Sequence, residues 1–137
     1  MIVADTNIIS YFLLPTSFSE SVDKLYKSDS HWTAPMLWRS EFRNILALYL
    51  RKDLISFEKA IQLQDSAELL MQDNEYNVTS TQVLSLVRKS NCSAYDCEFI
   101  SMAQYLNTKL VTQDKKILKE FPSIAISVAQ YLTVFED

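Results

Sequence analysis

The chain of 137 residues contains no glycine. A dinucleotide-binding fingerprint, a Walker-type phosphate loop and the nucleophile elbow of hydrolases each need glycine where backbone turns sharply or touches phosphate. All three are excluded. Histidine occurs once, as His31, and the two cysteines, Cys92 and Cys97, miss the C-x-x-C spacing of redox and zinc motifs. A zinc centre and a disulfide scaffold are excluded with them, and both thiols are expected to be buried and free. The longest stretch without a charge, Phe121 to Phe135, is broken by Pro122, Ser123, Ser127 and Gln130. It is too short and too polar to cross a bilayer. The opening Met1-Ile2-Val3-Ala4-Asp5 lacks the basic segment of a secretory signal, so a cytoplasmic location is expected and no membrane partner. Positive charge is also short: 13 Lys and Arg stand against 17 Asp and Glu, a net charge of -4. Binding a polyanion then requires local basic patches or bound cations.

What is present is ordinary globular material, with 48% hydrophobic and 22% charged residues. Strand-like and helical apolar patterns alternate without a linker or repeat, which predicts one α/β unit. Ile2-Val3-Ala4, Trp32-Thr33, Tyr76-Asn77-Val78, Leu110-Val111-Thr112 and Ile124-Ala125-Ile126 read as extended segments. Helices are predicted after a Ser17-x-x-Glu20 capping box, from Pro35 to about Arg51, after Ser56, after Thr79-x-x-Gln82, after Ser93, and from Lys115 to Phe121. Strand–helix–strand alternation favours parallel pairing, because parallel strands need a crossover between them.

That topology gathers acids. Asp5 and Asp114 each follow a strand and so stand at the carboxyl edge of a parallel sheet, where open α/β sheets bind ligands. Crossover helices start at the same edge, which adds Asp96 and Glu41. Taken singly, Asp5, Asp96 and Asp114 read first as helix caps. Glu41 does not, because it stands on an apolar stripe with Leu37, Trp38, Ile45 and Leu48 and needs a partner there. An ion pair with Arg39 or Arg43 is one candidate, and a cation shared with the other acids is the other. Clustered carboxylates raise one another's pKa unless a positive charge lies between them. Hard oxygen donors without His or Cys select Mg2+ or Mn2+, ions that activate water and stabilise phosphoryl transfer.

Four segments carry a family resemblance: Met1-Ile2-Val3-Ala4-Asp5-Thr6-Asn7, Arg39-Ser40-Glu41-Phe42-Arg43-Asn44-Ile45-Leu46, Ser93-Ala94-Tyr95-Asp96-Cys97-Glu98-Phe99 and Leu110-Val111-Thr112-Gln113-Asp114. In order and spacing, over nearly the whole chain, they resemble the motifs of PIN-domain proteins, most of all VapC-type ribonuclease toxins of type II toxin–antitoxin modules. The resemblance implies a single PIN domain over residues 1–137, with a short parallel sheet flanked by helices on both faces in three layers. It also implies an Mg2+- or Mn2+-dependent endoribonuclease, an RNA substrate, a cognate antitoxin and a homodimer. Position by position, Asp5, Glu41, Asp96 and Asp114 match the acidic quartet that binds metal and carries catalysis. Asn7 and Thr112 match its supporting polar residues. One departure stands out: Lys115, Lys116 and Ile117 follow Asp114 where some members place another acid, which bears on a second metal site.

Arg39, Arg43, Arg51, Lys52, Lys115, Lys116 and Lys119 flank the motif helices and offer phosphate contacts, though such residues are also ordinary solvated faces. Tyr11, Phe12 and Trp38 read either as core or as stacking platforms for bases. The run Ile8, Ile9, Tyr11, Phe12, Leu13 and Leu14 is longer than one buried helix face uses. Part of it, with Phe18 and Val22, is expected at an interface with an antitoxin helix or a second copy. Rival readings are a DNA nuclease or RNA-processing factor on the same fold, and a catalytically idle PIN-like protein-binding module whose acids cap helices. A haloacid-dehalogenase phosphatase also begins with a strand and Asp, but it needs a second Asp where this chain has Asn7.

Overall fold

A computed structural model describes residues 1–135 of the chain. Five strands, β1 (Ile2–Ala4), β2 (Trp32–Pro35), β3 (Glu75–Tyr76), β4 (Leu110–Val111) and β5 (Ala125–Ile126), form one sheet in the order β3-β2-β1-β4-β5. Every pairing is parallel, with Val3 opposite both Thr33 and Leu110. The β1 sequence, Ile-Val-Ala, is buried throughout. A strand covered on both faces needs a continuous apolar run rather than an alternating one.

Between and after the strands run α1 (Thr6–Leu13), α2 (Ser19–Ser28), α3 (Trp38–Arg51), α4 (Phe57–Leu70), α5 (Ser80–Arg88), α6 (Ala94–Tyr105), α7 (Lys115–Glu120) and α8 (Val128–Phe135). Helix α6 packs on β1, β2 and β4 with α5 beside it, while α1 leads the group formed with α2, α3 and α4. The expected three-layer α/β arrangement is what forms. Trp32, Trp38, Phe42 and Phe99 are the largest fully buried side chains of a continuous core.

Local chemistry explains most helix starts. Ser56 accepts from the Lys59 amide, Ser93 from the Asp96 amide, Asp5 from the Thr6 amide, and Asp114 from the Lys116 and Ile117 amides. Three expectations fail. Pro35 does not open a helix but ends β2 opposite Tyr76, with the Ala34 and Met36 amides supplying the bonds to β3 on either side of it. Ser17 caps nothing: α2 starts two residues later, and the Ser19 hydroxyl accepts from the Thr16 amide and donates to the Tyr11 carbonyl. Thr79 precedes α5 without a side-chain cap. Helix α8 is additional to the expected elements. It is opened by a reciprocal capping box in which Ser127 accepts from the Gln130 amide and Gln130 accepts from the Ser127 amide.

The apolar N-terminal run turns inward. Ile8 and Ile9 are fully buried, Leu14 is nearly so, and Phe12 stacks on Tyr26 at 4.7 Å and meets Trp32 edge-on at 5.2 Å. Helix α1 touches three other helices as well as β1, so more than one of its faces is covered. Val22 is fully buried too, which leaves Phe18 exposed and Tyr11, Phe12 and Leu13 half-buried among the members of the expected interface. His31 is exposed and hydrogen-bonds Asn74. Cys92 and Cys97 are buried free thiols.

The absence of glycine has a local consequence. Asp53, Asp73 and Asn107 adopt left-handed backbone at φ 54°, 67° and 52°. Asp53 and Asn107 sit just past the caps of α3 and α6. There the amides of Leu54 and Thr108 reach back to the carbonyls of Tyr49 and Ala103. This is the helix-ending arrangement in which glycine is usual and Asn or Asp is the tolerated substitute.

Candidate active site

The end of β1, the first turn of α3, the first turn of α6 and the residue before α7 converge on one cleft of about 390 Å3. Asp5, Asn7, Glu41, Asp96 and Asp114 line it, together with Asn44 and Tyr95. Five of the six residues expected at the site therefore face the same space. Thr112, the sixth, is fully buried behind it.

Hydrogen bonds tie the acids to their supports. The Thr112 hydroxyl donates to Asp5 Oδ2 at 2.6 Å and accepts from the Asp114 amide at 3.0 Å, joining β1 to the end of β4. The Thr6 amide donates to Asp5 Oδ1, and the Thr6 hydroxyl donates to Glu41 Oε1 at 2.7 Å, joining the start of α1 to α3. Asp114 Oδ1 takes the amides of Lys116 and Ile117. Capping and convergence on the cleft are thus two properties of the same acids, not alternatives.

A family model described as the PIN domain matches residues 2–123. The chain belongs to the PIN domain family. Ribonuclease VapC3 of Pyrobaculum aerophilum is 24% identical over 136 residues, covering 90% of this chain and 96% of that protein. The crystal structure of PAE2754 from Pyrobaculum aerophilum superposes with a TM-score of 0.74 at 17% identity, covering 96% of this chain and 93% of the other. A toxin–antitoxin complex from Klebsiella pneumoniae superposes with a TM-score of 0.68 at 15% identity, covering 93% of this chain and 98% of the matched one.

Electrostatics in this PIN domain follow from burial. The Asp5 carboxyl is raised from 3.8 to about 6, first by loss of water and then by Asp96 and Asp114, against the pull of its Thr112 and Thr6 bonds. Glu41 is raised by burial, with Asp5, Asp96 and Glu98 adding to the effect and the Thr6 hydroxyl opposing it. Asp96 is raised by burial and by Asp114, while its Ser93 hydrogen bond and the Lys116 cation oppose. All three shifts express first the loss of solvating water and then the repulsion of neighbouring carboxylates.

Among the described residues, Glu41 has no arginine partner. Arg39 instead donates to both carboxylate oxygens of Glu75, at 2.6 and 2.7 Å, and to Glu68 at 3.0 Å, while Trp38 donates to Glu75 at 2.8 Å. This fork pins the start of α3, and hence Glu41, to β3 and α4. It also withdraws Arg39 from any phosphate, whereas Arg43, Arg51, Lys52, Lys115, Lys116 and Lys119 remain exposed. Trp38 is buried and offers no stacking face.

The donor set is all hard oxygen, as Mg2+ or Mn2+ requires. Among the described residues, no three acidic, histidine or cysteine side chains are grouped closely enough to hold an ion as they stand. Asp5 and Asp114 each spend oxygen lone pairs on hydrogen bonds, and each keeps others to spare. Thr6, Ser40, Asn44 and Tyr95 are the polar cleft residues that sequence reasoning missed. Asn44 was reachable, since it lies three positions after Glu41 on the same helix face.

Proposed function

We propose that this PIN domain, taken as one unit over residues 1–137, is an Mg2+- or Mn2+-dependent endoribonuclease and the toxin of a toxin–antitoxin pair. On this reading it acts in the cytoplasm on RNA, pairs with a cognate antitoxin and with a second copy of itself, and uses Asp5, Glu41, Asp96 and Asp114 as metal-holding catalytic groups. The observation that carries the proposal is the gathering of these four carboxylates, from four separate segments, in one cleft without a bound basic side chain. Family membership, the ribonuclease name of the Pyrobaculum relative and the toxin–antitoxin complex from Klebsiella support it.

A divalent ion held by Asp5, Glu41, Asp96 and Asp114 would supply Lewis-acid chemistry for phosphodiester hydrolysis by water. The chain's own residues prepare for it. Thr112 and Thr6 fix both oxygens of Asp5, and Thr6 fixes one oxygen of Glu41, so that neither carboxylate can rotate away. Ser93 holds the first turn of α6 and sets where Asp96 stands. Asp114 commits Oδ1 to α7, leaving Oδ2 for the cleft.

The test is Mn2+ calorimetry together with cleavage of single-stranded RNA. Asp5→Asn and Asp96→Asn are expected to weaken Mn2+ binding and to lower cleavage at least 100-fold, on the order of 3 kcal/mol in the barrier. Mn2+ affinity unchanged in both variants would show the assignment to be wrong.

A further inference from the structure

A second cavity, of about 350 Å3, adjoins the acid cleft, and Met36, Tyr76, Asn77, Leu84, Ala94 and Glu98 are among its walls. Its volume falls in the range of roughly 300–1,000 Å3 that small-ligand sites occupy. The two cavities share a boundary. Met36 faces this one and Leu37 the acid cleft; Ala94 and Glu98 face this one and Tyr95 and Asp96 the acid cleft. On the ribonuclease reading, a strand with a phosphate over the acids would have this opening beside it for a neighbouring base.

The lining says which base. Met36 and Leu84 are 40% and 60% exposed, leaving apolar surface that favours a flat apolar cover. Tyr76 adds an aromatic wall, and unpaired RNA bases are bound by such stacking together with hydrogen bonds to their edges. The Glu98 carboxylate is half-buried and has no hydrogen-bond or ion-pair partner among the described residues. It can only accept. Guanine alone among the four bases presents two adjacent N–H donors, at N1 and N2, that match the two oxygens of a carboxylate. Adenine and cytosine set a ring-nitrogen lone pair beside their amino group, and uracil flanks its single N–H with two carbonyls. Each of these three turns a lone pair toward a carboxylate.

We propose that this cavity is a guanine subsite: a guanine flanking the cleaved phosphate lies against Met36, Leu84 and Tyr76 and donates two hydrogen bonds to Glu98. The proposal rests on the ribonuclease reading of the adjoining acids, because it takes the base from the same strand.

Binding and cleavage test the two readings separately. GMP, AMP, CMP and UMP are titrated into the metal-free full-length protein while NMR follows the methyl groups of Met36 and Leu84. GMP is expected to bind about tenfold more tightly than the others, the discrimination of a modest bidentate contact. Glu98→Gln should abolish that preference, whereas Leu84→Ala should weaken all four nucleotides alike and keep it, with each variant's fold confirmed by its spectrum. Equal binding of the four by the wild type, or a preference surviving Glu98→Gln, overturns the subsite. In the Mn2+ cleavage assay, cuts are expected beside guanine and their distribution should change in Glu98→Gln. Cuts indifferent to guanine refute the subsite alone, while GMP selectivity with no RNA cut at all refutes the ribonuclease reading and leaves guanine binding in place.

Discussion

Asp5 is held by two donors and crowded by two like charges, so its proton is the most consequential in the molecule. The unfolded chain releases that proton near pH 3.8 and the folded one only near pH 6. Between those values the unfolded state binds fewer protons, so stability falls as pH rises across the window. The accumulated loss from this one group is about 3 kcal/mol, on the order of 1.4 kcal/mol per pKa unit. Asp5→Asn removes the titration. In metal-free thermal melts the variant is therefore expected to gain on the wild type from about pH 4 to about pH 6 and to hold that gain above it, and a constant difference across the window would count against the burial argument. The same proton competes with a cation, so wild-type Mn2+ affinity should rise as pH passes about 6. At this scale the site was legible where topology alone placed the acids. Thr6 was not legible, because its role depends on a bond to Glu41, 35 positions away in sequence.

Helix caps separate what local sequence reveals from what it conceals. Ser93 and Ser56 make the same bond to the third amide of their helices, one beside Asp96 and the other remote from the cleft. Replacing either by Ala is expected to cost about 1 kcal/mol in urea denaturation. Only Ser93→Ala should also weaken Mn2+ binding, since only that cap positions a cleft acid; equal effects of the two on affinity would refute a positioning role. These caps were readable because donor and acceptor lie within one turn. The Ser17 pattern misled for the opposite reason, as the hydroxyl that organises the segment belongs to Ser19 and bonds back to Tyr11. Pro35 suits a first helical turn and a strand end equally, and pairing with Tyr76, 41 positions away, decides between them. The Ser127–Gln130 box of α8 was local too, but it sits in an apolar stretch without charge to mark a helix face. The left-handed residues yield a sharper expectation. Asp53→Gly or Asn107→Gly should raise stability by up to about 1 kcal/mol, because glycine relieves the steric cost of positive φ. A loss of stability in both variants would mean that the Asp and Asn side chains, not the backbone, decide these turns.

At the scale of the whole molecule, β1 lies at the centre of the sheet, and one of its two neighbours, β4, comes from the far end of the chain. Nothing within the first hundred residues can complete that pairing. A chain ending before Leu110 lacks Thr112, Asp114 and one of the two strands beside Val3, and is expected to show neither a cooperative thermal transition nor RNA cleavage. A cooperative melt in such a fragment would show that β4 is dispensable. Pairings this distant in sequence are slow to form, on a scale of milliseconds to seconds. The bond from Thr112 to Asp5 spans 107 positions. On the ribosome, then, the first acid of the cleft to be made must wait for Thr112 to emerge. On the ribonuclease reading proposed above, a chain wired in this way cannot assemble its cleft until β4 has been made, so its own message is spared while the earlier elements are translated.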